Sequence, residues 1–144
     1  MDKKKTDELT RILEKTSGRK ELEGYLNRLP EESVGTGPID YFLSLPGPRA
    51  MTGKDLVFKS GIERSYLYQI LNGRRTPSRE KVLRLCIGAG LSLEETQRVL
   101  ELGKLGVLYS RDRRDAILIF AIRSGLDTTE TDDLLDQFGE ALLG

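Results

Sequence analysis

The side chains best suited to chemistry lie in residues 61–78, which read GIERSYLYQILNGRRTPS. Their polar members fall on the outer positions of a predicted amphipathic helix: Glu63, Arg64, Ser65, Tyr68 and Gln69. The segment then stops at Asn72-Gly73 and continues with a basic pair, Arg74 and Arg75. These groups donate and accept hydrogen bonds and attract anions. The chemistry that they indicate is recognition of a charged, polar surface.

Catalytic and metal-binding chemistry is poorly represented in the sequence. There is no histidine, which removes the commonest general base and the commonest metal ligand. The single cysteine, Cys86, lies among apolar residues of a predicted helix, which favours a small core residue in a reducing compartment. The acidic residues 132, 133 and 136 are not spaced with any His or Cys, so a solvated face is expected. We therefore expect a protein that is not an enzyme and that needs no metal or other cofactor.

Charge is distributed unevenly although the formal net charge is zero. Residues 49–84 hold nine Lys/Arg against three Asp/Glu, a balance of +6. Residues 127–144 hold six Asp/Glu and no Lys/Arg, a balance of −6. A basic block that coincides with residues 61–78 indicates a localised anion-binding face. Charges that simply populate helix surfaces are the alternative.

Hydrophobic periodicity predicts an all-α chain with flanking helices on both sides of a central domain. We expect an N-terminal extension at 1–37, a central domain at 38–102, and a C-terminal helical pair at 103–144 that braces it or forms a dimer. The apolar run 116–122 is expected to be buried on most sides. Predicted helices span 6–15, 20–29, 38–45, 53–59, 64–71, 79–89, 92–102, 111–123 and 130–143, with caps at Thr52, Ser78, Ser92 and Ser110. In the predicted helix 53–59, we expect Leu56 and either Val57 or Phe58 to be buried in the core. No apolar run reaches membrane-spanning length and no secretory h-region is visible, so the cytoplasm is the expected location.

The spacing in residues 52–78 is typical of a helix-turn-helix, in which two helices are locked by apolar residues around a tight turn. Leu56, Val57, Ile62, Leu67 and Ile70 form the predicted lock, and Gly61 supplies the turn. Over about 38–102 the chain resembles the phage-repressor and Cro-like (XRE-type) helix-turn-helix family. The resemblance rests on these residues: Thr52, Leu56, Ser60-Gly61-Ile62, Ser65, Leu67, Ile70, Asn72-Gly73, Arg74-Arg75, Pro77-Ser78, Leu83 and Leu85.

The resemblance implies a lambda-repressor-like domain of five helices, acting as a homodimer on double-stranded DNA. By position it implies base contacts from Arg64, Ser65 and Gln69, with Glu63 and Tyr68 as further candidates. Arginine suits guanine, glutamine suits adenine, and Glu63 either accepts from cytosine or serves as a charge at the helix N-terminus. Phosphate contacts are expected from Thr52, Lys54, Arg74, Arg75 and Arg79. The family often has Gln where this chain has Gly53, so one base contact is expected to be missing.

Two functions compete at this point. The first is a sequence-specific DNA-binding transcriptional regulator, most simply a repressor, that reads the major groove with helix 64–71. The second is a protein-interaction module, such as an antitoxin-like protein or an adaptor, that keeps the fold without reading DNA. The extra helices at 103–144 favour a protein partner or a second copy of the chain in either case.

Overall fold

The computed structural model describes residues 37–144 of the chain, and this region contains eight α-helices. The predicted helices at 6–15 and 20–29 lie outside the described residues. No strand occurs between residues 37 and 144, which confirms the all-α prediction. The helices are α1 (Pro38–Ser44), α2 (Pro46–Arg49), α3 (Gly53–Ser60), α4 (Arg64–Leu71), α5 (Arg79–Gly88), α6 (Leu93–Leu102), α7 (Arg113–Arg123) and α8 (Thr128–Gln137).

Short polar side chains set the starts of the central helices, as their positions in the sequence predicted. The Thr52 hydroxyl accepts from the Asp55 N–H, and the Asp55 carboxylate accepts from the Thr52 N–H, which completes a capping box before α3. Ser92 and Glu95 repeat this box before α6. Ser78 accepts from the N–H of residue 81 and caps α5. These bonds satisfy backbone donors that the first turn leaves without an intrahelical partner.

Helix α5 is the centre of the core and packs on α3, α6 and α8. Its Val82, Leu83 and Cys86 are fully buried. Desolvation raises the pKa of the Cys86 thiol to about 12, so the thiol stays protonated at neutral pH. The α3–α5 crossing is close, because a Cβ at Gly88 would lie 2.7 Å from the Lys59 carbonyl oxygen. Only glycine fits at that point.

The region before the turn adds one helix to those predicted. The Pro46-Gly47-Pro48 sequence follows the end of α1 and opens the short helix α2, since proline suits the first helical position. On α3, Leu56 is buried and Val57 packs half-buried against the core, whereas Phe58 is 86% exposed, so the expected inward pair is Leu56 and Val57.

The C-terminal helices are shorter than predicted. Asp112, not Ser110, caps α7, and Asp127 caps α8. Helix α8 ends at Gln137 and not at 143, because Gly139 takes a left-handed conformation (φ 73°) that terminates it. The run 116–122, packed by α6 and α8, is buried or half-buried at six of its seven residues, as expected, but Phe120 is 59% exposed. None of the helices in 37–144 has both the length and the apolar character needed to cross a membrane.

Candidate nucleic-acid interface

The turn between α3 and α4 is fixed by one glycine and one buried hydroxyl. Gly61 has φ 68°, a left-handed conformation that costs glycine little, and its N–H donates to the Val57 carbonyl. The buried Ser60 hydroxyl accepts from the Ile62 N–H at 3.2 Å. The predicted lock is fully formed at four positions, each at most 3% exposed: Leu56, Ile62, Leu67 and Ile70. The lock therefore sets the rotation of α4 and decides which of its side chains face outward.

The outer face of α4 carries the predicted base-contacting residues. Arg64 and Ser65 are exposed, Tyr68 is 39% exposed, and Gln69 is half-buried. The Arg64 guanidinium carbon lies 5.5 Å from the centre of the Tyr68 ring, within cation–π range. Hydrogen-bonding groups therefore follow one another along a single helix face. Their contacts with bases stay a prediction.

Glu63 is placed as the N-cap of α4. Its carboxylate oxygens accept from the N–H groups of Ser65 and Tyr66, each at 2.9 Å. These hydrogen bonds hold the pKa of Glu63 below its ordinary value and keep it ionised. Of the two roles open to Glu63 from sequence, the structure shows the one at the helix N-terminus, and we leave Glu63 out of the proposed base-reading set.

Helix α3 begins beside the outer face of α4. A Cβ at Gly53 would lie 2.5 Å from the Tyr68 hydroxyl oxygen, so the tyrosine tip occupies the space that a side chain at residue 53 would need. Thr52 and Lys54, the two predicted phosphate contacts on α3, flank this glycine. The first-turn N–H groups of a helix attract phosphate. The start of α3 and the tip of Tyr68 thus form one continuous surface.

The basic pair after α4 is held against that helix. The Arg74 N–H donates to the Asn72 side-chain oxygen at 3.2 Å. The Arg75 Nε donates to Gln69 Oε1 at 2.9 Å, and the Arg75 guanidinium carbon lies 4.8 Å from the centre of the Tyr66 ring. Gln69 and Arg75, predicted to have separate roles, are therefore joined.

Arg79 differs from the other predicted phosphate contacts. Its Nη atoms donate to both carboxylate oxygens of Asp115 at 3.1 and 3.0 Å, and its Nε donates to the Gly106 carbonyl at 3.0 Å. The hydrogen bond to Asp115 raises the pKa of Arg79 above its ordinary value. Because these donors are used within the chain, we leave Arg79 out of the proposed phosphate-binding set.

The sequence did not predict the residues of α5 and α8 that hold the backbone at the end of α3, just before the turn. Arg84 donates from Nη1 to the Ser60 carbonyl at 3.2 Å and from Nη2 to Asp132 at 3.3 Å. The Thr128 hydroxyl donates to the Lys59 carbonyl at 3.0 Å. Arg84 belongs to the basic block, and its partner lies 48 residues later in the acidic block. The charge asymmetry between these two blocks is the available signal for the contact, but it does not by itself identify which residues pair.

Comparison with known proteins adds one match. Residues 48–99 match a family model described as a helix-turn-helix domain. No curated protein and no solved structure matches the chain. The matched residues include the whole of α3, the Gly61 turn and α4. The chain therefore carries a helix-turn-helix domain, the fold of DNA-binding regulators, and the match is consistent with the phage-repressor and Cro-like type that its motif predicted.

Proposed function

We propose that this protein is a sequence-specific DNA-binding transcriptional regulator that reads the major groove with α4. The observation that carries the proposal is the exposed polar face of α4, with Arg64 and Ser65 at its N-terminal end. In a helix-turn-helix the N-terminal residues of the second helix contact base edges. Arginine there matches the two acceptors of guanine, and serine makes single hydrogen bonds to several bases.

Phosphate contacts on both sides of α4 are the second part of the proposal. The first turn of α3 offers Thr52, Lys54 and backbone N–H groups on one side. Arg74 lies just beyond the other end of α4. Contacts of this kind fix the register of a protein on a duplex without reading its sequence.

We further propose that the regulator is a cytoplasmic repressor, is not an enzyme, and acts by occupying its operator so that other proteins are excluded from the same groove. It works as a homodimer on a two-fold site, the arrangement that matches protein symmetry to operator symmetry. Support for a second copy comes from an apolar groove between α7 and α8, about 360 Å³ in volume and lined by Ala116, Ile117, Phe120, Leu134, Gln137 and Phe138.

Exposed charges on the two helices that line this groove, here called the α7–α8 groove, favour a second copy. Exposed Arg123 ends α7, whereas α8 carries exposed Glu130 and Asp133. Laying α7 of one copy on α8 of the other brings opposite charges together and buries both grooves. Two helical hairpins packed in this way form a four-helix arrangement with an apolar centre.

Selection of bound sequences from random duplex DNA tests the proposal. We expect a palindromic consensus. Affinity for it should fall with salt by about 0.9 log units per log unit of salt for each phosphate contact.

Arg64→Ala should relax the preference at one base pair, and Arg74→Ala should weaken all sequences alike while lowering the salt slope by about one. Arg123→Ala, which removes the same charge from α7, is the matched control and should leave affinity for a half-site duplex unchanged.

A protein-interaction module remains the second candidate, favoured by the exposed Phe120 and Phe138 of the α7–α8 groove. It predicts no enrichment of any DNA sequence, together with a stoichiometric complex with a protein other than this chain. A palindromic consensus in the selection would count against it.

A further inference from the structure

Arg75 is positioned by two residues of α4, although it lies in the loop beyond that helix. Its Nε donates to Gln69 Oε1 at 2.9 Å, and its backbone N–H donates to the Gln69 carbonyl at 3.1 Å. The guanidinium lies over the Tyr66 ring, 4.8 Å from the ring centre. Left-handed Gly73 (φ 82°) makes the tight reversal that returns the chain to Gln69. Arg75 is therefore held at its backbone, its Nε and its guanidinium face.

The chemistry of arginine fixes the orientation of the Gln69 amide. A guanidinium has N–H donors and no acceptor, so the atom of Gln69 that faces Arg75 must be the amide oxygen. The amide nitrogen Nε2 and the two Nη atoms of Arg75 take no part in this hydrogen bond. The pair thus combines N–H donors from two side chains with one positive charge.

We propose that Gln69 and Arg75 act together to read guanine, which replaces the expectation of adenine for Gln69 and of phosphate for Arg75. Guanine presents two acceptors in the major groove, O6 and N7, whereas adenine presents N7 beside an amino group. An amino donor placed against the Gln69–Arg75 pair meets like polarity, and an O6 acceptor meets opposite polarity. The inference rests on the proposed function, in which α4 lies in the major groove.

The test compares selected sequences and affinities for the full chain and six variants, one of them the double variant Gln69→Ala/Arg75→Ala. Gln69→Glu keeps an oxygen for Arg75 Nε but removes the N–H donors, and Gln69→Ala removes both. Each should abolish the guanine preference at one base pair, a loss of about tenfold in discrimination. Arg75→Ala should abolish the preference at the same base pair, and the double variant should lose no more than either single variant, because the two residues read one base.

Tyr66→Phe keeps the ring under Arg75 and should behave as the unchanged chain, whereas Tyr66→Leu should weaken that guanine preference.

Each result bears on the inference in a defined way. A consensus with adenine at the base pair sensitive to Gln69, or an Arg75→Ala variant that weakens all sequences equally, would overturn the inference and leave the proposed function standing. Failure of the unchanged chain to select any sequence would overturn both. Far-UV circular dichroism of each variant shows whether the helices are retained, and Gln69→Glu, a change at a half-exposed surface position, gives the deciding comparison if Tyr66→Leu unfolds.

Discussion

Single residues on α3 and α4 determine what surface the helix-turn-helix presents. The sequence predicted that Gly53 costs the chain one base contact. The structure shows that the missing side chain makes room for the Tyr68 hydroxyl, because a Cβ at residue 53 would lie 2.5 Å from it. Tyr68 in turn lies beside the Arg64 guanidinium. Gly53 thus influences the interface through Tyr68, which the residue type alone did not reveal.

Replacing Gly53 with alanine separates folding from binding. We expect Gly53→Ala to displace the Tyr68 side chain, which can rotate, and so to leave the fold intact. Because alanine is the better helix residue, thermal unfolding should show unchanged stability or a gain of up to about 1 kcal/mol. Affinity for the selected DNA should fall about two- to tenfold, the range of one net hydrogen bond, as measured by fluorescence anisotropy.

Gly88→Ala is the matched comparison, since it is the same change in another helix. There the new Cβ would lie 2.7 Å from the backbone oxygen of Lys59, which no side-chain rotation relieves. We expect a loss of about 1–3 kcal/mol in the free energy of unfolding, typical of overpacking. Equal stability of the two variants would contradict this assignment of a close α3–α5 approach.

At the scale of helices, the sequence predicted the features that depend on neighbouring residues. The starts at Thr52, Ser78 and Ser92 and the full extent of α4 were predicted because caps and stops act within one turn. The exposed Phe120 and the early end of α8 were not, because they depend on which helix covers which face. Hydrogen bonds such as Arg79 to Asp115 join residues 36 apart and leave no local pattern. The candidate interface followed the same division: its residue types were predicted, but the Gln69–Arg75 and Gly53–Tyr68 pairings were not.

The link between α5 and α7 yields a prediction that depends on pH. Asp115, 9% exposed at its side chain, accepts from Arg79 and from the Tyr109 N–H. Desolvation raises the pKa of Asp115, but the Arg79 and Tyr109 hydrogen bonds and neighbouring arginines outweigh it, so the pKa lies below 3.8. We expect Asp115→Asn to cost about 1–3 kcal/mol at pH 7, the range for losing a buried hydrogen-bonded partner.

The direction in which this stabilisation changes with pH follows from the lowered pKa of Asp115. The carboxylate stabilises the fold fully above its unfolded-state pKa, near 3.8, and this contribution disappears as pH falls through the lower folded-state pKa. We therefore expect the free energy of unfolding, measured with urea, to differ between Asp115→Asn and the unchanged chain by a constant amount from pH 5 to 8. This difference should shrink below pH 3.8. Glu101→Gln, which breaks the exposed pair with Arg98 within α6, should cost at most about 1 kcal/mol. A larger effect from Glu101→Gln would contradict the role given to burial.

At the scale of the whole described region, residues 103–144 are joined to the helix-turn-helix domain by contacts with α3 and α5. The Arg114 guanidinium contacts Glu80 on α5, Asp132 contacts Arg84, and Thr128 contacts the end of α3. Asp132 also accepts from the Leu143 N–H at 2.8 Å, which holds the segment after α8 against the core. Opposite charges thus join α7 and α8 to α5, and a hydroxyl–carbonyl hydrogen bond joins α8 to the end of α3.

The side of α7 and α8 that carries the α7–α8 groove is exposed. We predict that two copies of the chain associate through this groove. Sedimentation velocity across a concentration series should show a monomer–dimer equilibrium for the unchanged chain. Phe120→Asp places a charge in the groove and should weaken the dimer by more than tenfold, because a buried unpaired charge costs more than about 1.4 kcal/mol. Phe58→Asp changes an 86% exposed phenylalanine on α3 and should leave the equilibrium unchanged. If Phe58→Asp abolished the dimer and Phe120→Asp did not, the interface would lie at α3. A chain that stayed monomeric at every concentration would instead assign the groove to a different protein, the outcome that the interaction-module function predicts.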